Sequence, residues 1–432
     1  MVNPNNVGDA AFLPHINRTG LIPRFFRMRA GGDIRYFVDT HIEIIKIDFI
    51  FNAGTAKQAK KLQASTAIHL LTEGTKYHTA NEIAEFMDFR GIVVEKNCDE
   101  VSSTLTVYTL RRYLKELLPL LREIITEPTY PDEEFRLHID NRRQKLMTQL
   151  LRTSFVARNA FYQQLYGADH PMGKHANVED FDLLTVEDVR DFQRHHINPH
   201  NAIIVIGGNI DDEVLNLFDT NFGDIVCGNG INIKIPQPQP EPLPHALFEG
   251  VPYLCKPVPG AVQNTLRVGR LLPMRWDSMD YARTVVLSTL LGGYFGSRLM
   301  SNIREDKGYT YGIYAQTRIC RESLLFSIST DISPENADPT LSEIILELRK
   351  LCDEPVPNEE LDLVRKCIIG DFMRSVDGIF ERSERYCQQL SAGINESFTD
   401  NLFEAVKSTT PTELQSLAQR LFNPKELLIV KC

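Results

Sequence analysis

Two periodicities alternate along this chain. Residues 42–51, I-E-I-I-K-I-D-F-I-F, and residues 101–110 are strand-like, and 202–206 is a short apolar run that reads as a buried strand. Residues 324–330 pair with 311–318 as a hairpin across Arg321, Glu322 and Ser323. Residues 60–73 instead follow the helical period through Leu62, Ala67, Leu70 and Leu71, with Gly74 as the stop. A second helix opens at Thr79, where Glu82 completes a capping box, and closes at Gly91. Strands and helices in blocks, with hairpins, predict an α+β fold in which an antiparallel-rich sheet carries helices on one face.

The pattern occurs twice. Residues 184–206 (L-T-V-E-D-V-R-D-F-Q-R-H-H-I-N-P-H-N-A-I-I-V-I) match 410–430 (T-P-T-E-L-Q-S-L-A-Q-R-L-F-N-P-K-E-L-L-I-V): an N-capped helix, an Asn-Pro stop, then an apolar strand. Residues 118–134 match 345–360, each with a Glu-Pro that stops one helix and an acidic pair that opens the next. The similar offset of both matches predicts two tandem homologous domains. Between them I-P-Q-P-Q-P-E-P-L-P has five prolines at alternate positions, which favours extended, semi-rigid chain. The expected division is 1–230, a linker at 231–244, and 245–432.

A length of 432 residues fits two such units, and 43% apolar with 24% charged residues is ordinary for a globular protein. The net charge of −10 argues against nucleic acid as the main partner. No apolar run approaches the roughly 18–20 residues of a spanning helix, so no membrane partner is expected. The N-terminus M-V-N-P-N-N-V-G-D-A-A lacks the pattern of a signal peptide, which favours the cytoplasm. The eight cysteines stand singly with no C-x-x-C pair, as small buried hydrophobes in a reducing compartment do.

Candidate chemistry lies in two places. Residues 65–75 read S-T-A-I-H-L-L-T-E-G-T. This helix, its Gly74-Thr75 end and the helix after it resemble the insulinase and pitrilysin peptidases, including the subunits of mitochondrial processing peptidase. Members of that family carry H-x-x-E-H on the first helix: two histidines four apart bind zinc, the glutamate activates the bound water, and a distal glutamate completes the site. The resemblance puts Ser65 on the first histidine, Ile68 on the catalytic glutamate and His69 on the second histidine. The distal ligand would fall at 145–147, yet no acidic residue occurs from Arg142 to Arg158. His69 then reads as a packing residue. Alternatively, His69 and Glu73, also four apart, pair on a metal with a third ligand such as His78. The histidines at 170, 175, 195, 196 and 200 fit no zinc spacing and read as structural.

The second place is L-L-G-G-Y-F-G-S-R-L-M-S-N-I-R-E-D-K-G-Y-T-Y-G, residues 290–312. A glycine turn opens a helix near Ser297, and Gly308 closes it. This segment resembles the family's second-half motif, in which an arginine and a tyrosine face the zinc; they map onto Arg304 and Tyr311. A guanidinium fork can hold a carbonyl or carboxylate, and a phenol can donate to an oxyanion. From the residues alone, the favoured reading is that Arg304 pairs with Glu305 or Asp306 and Tyr311 packs; the resemblance turns it toward the functional one.

The resemblance implies no cofactor in this chain and a zinc in a partner. It implies the zinc-less, Arg/Tyr-bearing subunit of a heterodimeric, or homodimeric, peptidase acting on peptides. The alternatives are a non-enzymatic scaffold or peptide-binding subunit, like respiratory-complex core proteins, and a metal hydrolase using His69 and Glu73. Residues 91–97 would offer an exposed strand to which a peptide backbone could add.

Overall fold

The computed structural model describes residues 20–432 apart from 226, 227, 229 and 232. The N-terminal segment read for a signal peptide, and Cys227, lie outside the described residues.

Two six-stranded sheets form the frame. The first contains β1 (Arg24–Arg27), β2 (Asp33–Val38), β3 (Ile44–Phe51), β4 (Val93–Cys98), β5 (Ser103–Leu110) and β6 (Ala202–Gly208), in the order β1-β2-β6-β3-β5-β4. The second contains β7 (Leu247–Phe248), β8 (Val251–Cys255), β9 (Asn264–Leu271), β10 (Thr310–Cys320), β11 (Ser323–Ile332) and β12 (Leu428–Lys431), in the order β10-β11-β9-β12-β8-β7. Reversed, the second order is the first with each strand replaced by its counterpart. The single parallel pairing of each sheet, β2 with β6 and β8 with β12, falls at the same place. The fold is α+β with two homologous halves. The matched helices are Val186–His196 and Pro411–Leu421, opened by full capping boxes at Thr185 and Thr410.

Strand β3 shows how the layers are built. Ile45, Ile47, Phe49 and Phe51 point into a core shared with the helices of the first half. The alternate positions Lys46, Asp48 and Ile50 point the other way, as period-two geometry requires. That second face is covered by a helix from the other half, Ile379–Ala392. The buried Lys46–Asp48 ion pair (3.0 Å) meets it, with Ser383 Oγ donating to Asp48 (3.4 Å). The exchange is mutual: the helix Thr153–Tyr166 sends Ala157, Phe161 and Leu165 into a cluster with Leu325, Leu428 and Val430 of the second sheet. Helices of its own half cover one face of each sheet, and one helix of the other half covers the opposite face.

The described residues of 231–244 form no regular element but are not free. Ile231, Ile233 and Ile235 are buried in the shared cluster, and the amides of Gln239 and Glu241 donate to the carbonyls of Tyr166 and Gln164 (3.0 Å each). Gly167, at φ +89°, lies where a Cβ would come within 2.4 Å of the Gln239 carbonyl oxygen, so only glycine fits beneath this strap.

One helix is shorter than its period predicts. Residues 60–73 yield a helix only over Gln63–His69. Leu62 enters in the left-handed region (φ 71°), and Lys96 of β4 ends the helix by donating to the His69 carbonyl (2.6 Å) and to Thr72 Oγ1 (2.7 Å). Among the described residues no helix is long and apolar enough to cross a membrane.

Candidate functional site

The short helix places Ser65 and His69 on the wall of a cavity of about 490 Å³. Ile68 faces the opposite way and is fully buried in the first core. Facing Ser65 across the cavity is the long helix Asp132–Leu150. It presents His138, Arg142, Lys145 and Gln149 at successive turns of one face. Arg142 donates from Nη1 to Ser65 Oγ (2.8 Å), and the Ser65 hydroxyl donates to the Leu62 carbonyl (3.1 Å). His69 donates from Nδ1 to the Ser65 carbonyl (2.6 Å), and its ring centroid lies 6.0 Å from that of His138.

Electrostatics here disfavour another cation. Burial, with help from the nearby Arg142 charge, pushes the His138 imidazole down to about 3. Burial also lowers His69, with Arg142, Lys96 and Lys145 adding to the effect against the Ser65 carbonyl. The Cys98 thiol, also on the wall, is pushed up to about 12 by burial. These residues do not fit a zinc ion. A guanidinium sits on the Ser65 hydroxyl, Lys145 lines the cavity where the distal ligand was expected, and among the described residues no carboxylate lines it. Among the described residues no group of three His, Cys, Asp or Glu side chains is placed to hold a metal.

The pairing of His69 with Glu73 is corrected by the same geometry. The helix stops at His69, so the two are not on one helical face. Glu73 accepts from Lys96 (3.3 Å) and Thr72 (3.1 Å), while His78 pairs with Glu123 (2.8 Å).

Arg304 and Tyr311 do not line this cavity. They stand at the end of the second half's edge strand. The helix after Ser297 widens to a π-helix over Met300–Asp306, which carries Arg304, and Gly308 turns the chain at φ +67°. Arg304 lies over the Phe295 ring (4.6 Å to the centroid) and makes no ion pair among the described residues. Tyr311 follows in a β-bulge: Thr310 opposes Ile332, but Ile313 opposes Thr330, so β10 holds one extra residue. The bulge is pinned by Thr310 Oγ1 donating to the Asp331 carbonyl (2.8 Å) and Thr330 Oγ1 to the Gly312 carbonyl (2.9 Å). The result is a tyrosine 93% exposed; Tyr314 and Phe295 are also exposed. A tyrosine that merely packs would not be left in water.

Sequence reasoning missed His138 and Arg142. Their signal is the stretch H-I-D-N-R-R-Q-K, in which 138, 142 and 145 share a helical face.

Residues 183–366 match the family model described as "Peptidase M16 inactive domain". An "Uncharacterized zinc protease" of Rickettsia felis is 20% identical over 405 residues, covering 92% of this chain and 94% of that protein. A "Non-peptidase homolog YmxG" of Helicobacter pylori is 21% identical over 358 residues, covering 80% of this chain and 78% of that protein. These matches support the insulinase (M16) peptidase family. A solved structure of a peptidase M16 inactive domain from Pseudomonas fluorescens shares the M16-type fold, with TM-score 0.79, 19% identity, and coverage of 95% of this chain and 97% of that one.

Proposed function

We propose that this chain is the zinc-less subunit of an insulinase-type metallopeptidase pair. It has no centre of its own and lends Arg304 and Tyr311 to the zinc site of a partner chain bearing H-x-x-E-H. The observation that carries the reading is the contrast between its two candidate sites: a guanidinium occupies the Ser65 hydroxyl, while Tyr311 is held out in water and Arg304, over the Phe295 ring, makes no ion pair among the described residues. The names of two matches, an inactive domain and a non-peptidase homologue, agree with this reading. In the assembled site Arg304 would hold a substrate carbonyl or carboxylate, and the Tyr311 hydroxyl would donate to the oxyanion as water adds to the scissile bond. The pair would work in the cytoplasm on peptides.

A second reading, a peptide-binding subunit without catalysis, draws on one observation. β4 ends its sheet with an open edge along which exposed and half-buried residues alternate, as β-augmentation needs. Isolation of the chain with its stoichiometric companion separates the two. A companion with H-x-x-E-H, and peptide hydrolysis only when both chains are present, is the expected result. A companion lacking that motif, or a complex without hydrolysis, would favour the scaffold.

A further inference from the structure

The cavity over Ser65 is basic in a protein that is not. The chain carries a net charge of −10, yet Lys61, Arg142, Lys145, Arg158 and Lys174 line this one cavity, and among the described residues no Asp or Glu does. His69, His138 and His175 complete its titratable lining apart from Cys98.

Few of these cations are neutralised. Lys61 is paired with Asp180 (3.0 Å). Arg158 lies over the Phe155 ring (5.3 Å) and feels the charge of Glu100. Arg142 spends one nitrogen on a neutral hydroxyl, and Lys145 and Lys174 make no ion pair among the described residues. The Nε2 of His138 is buried without a hydrogen-bond partner.

Like charges gathered around one cleft repel one another, and an anion between them relieves that repulsion. An arginine fork meets a planar carboxylate or a phosphate with two parallel hydrogen bonds. The volume, about 490 Å³, lies in the usual range of small-ligand sites. The walls come from separate elements: the helix Gln63–His69, the helix Asp132–Leu150, the start of the helix Thr153–Tyr166, and the loop holding Lys174.

We infer that this cavity binds an oxyanion, a carboxylate- or phosphate-bearing ligand, at the position where the resembling peptidases hold a metal cation. The charge has been inverted, and the hollow kept. This inference rests on the cavity itself and stands whether or not a catalytic partner exists.

Calorimetric titration of the full chain tests it, with inorganic phosphate in one arm and an end-capped tri-glutamate peptide in the other, at matched ionic strength. Saturable binding in at least one arm is expected, and the arm that binds identifies the phosphate or carboxylate source. Arg142→Gln and Lys145→Gln should each weaken it tenfold or more. Lys145 is solvent-exposed, so its variant carries the test if Arg142→Gln unfolds. Absence of binding in both arms, or binding that both variants leave unchanged, overturns the inference. So does stoichiometric uptake of zinc that His138→Ala abolishes.

Discussion

The two halves share a strand order and differ at their open edges. At the first edge, β4 turns Lys96 inward to close the helix that carries Ser65 and His69, and cations fill the hollow beyond. At the second edge, β10 bulges and holds Tyr311 out, while a π-turn presents Arg304 nearby. The buried frame is alike in both: capping boxes, parallel pairing and apolar strands. The difference teaches that a duplicated frame constrains the core and leaves the edge free, so the two edges can present different side chains.

The comparison treats the halves as one cooperative body, because each covers the other's sheet. Phe161 belongs by chain to the first half and packs with Leu428 and Val430 of the second. Phe161→Ala should therefore cost about 3–5 kcal/mol in a single urea transition. The sole tryptophan, Trp276, lies in the second half and reports on it directly. A second-half transition at the wild-type midpoint would break the comparison.

Acid should weaken the first half's centre. His138 takes up a proton near its ordinary 6.5 when unfolded, but only near about 3 when folded. Between those values the unfolded chain binds more protons, so stability falls as pH drops through that window and levels off below it. With its partial exposure discounted, the expected loss is about 1–2 kcal/mol. His138→Asn should flatten that slope in denaturant midpoints measured from pH 7 to 4.

The smallest effect checks the likeness of the halves. Thr185→Ala and Thr410→Ala each remove an equivalent capping box, and each should cost about 1 kcal/mol in the denaturant midpoint. Unequal losses would show that the matched helices carry different loads.

Much of this was legible in the chain. Capping residues and Asn-Pro stops mark the repeated helices because they act within a few residues. The β10–β11 hairpin was legible for the same reason. What lay beyond reach depends on distant partners. The helices Thr153–Tyr166 and Ile379–Ala392 show apolar faces but not which sheet they serve, and they serve the other half's. The helix at 60–73 ended early because Lys96, far along the chain, supplies the cap. His138, Arg142 and Lys145 form a stripe that spacing cannot tell from any solvated helix face. Only the helix opposite makes it a site.

The central claim is that this chain's chemistry lies at Arg304 and Tyr311, on a metal held by another chain. It is tested most directly by peptide hydrolysis of the reconstituted pair. Arg304→Ala and Tyr311→Phe in this subunit should each slow it by about 100-fold, with pairing and zinc content unchanged. Hydrolysis at the wild-type rate in both variants would contradict the account.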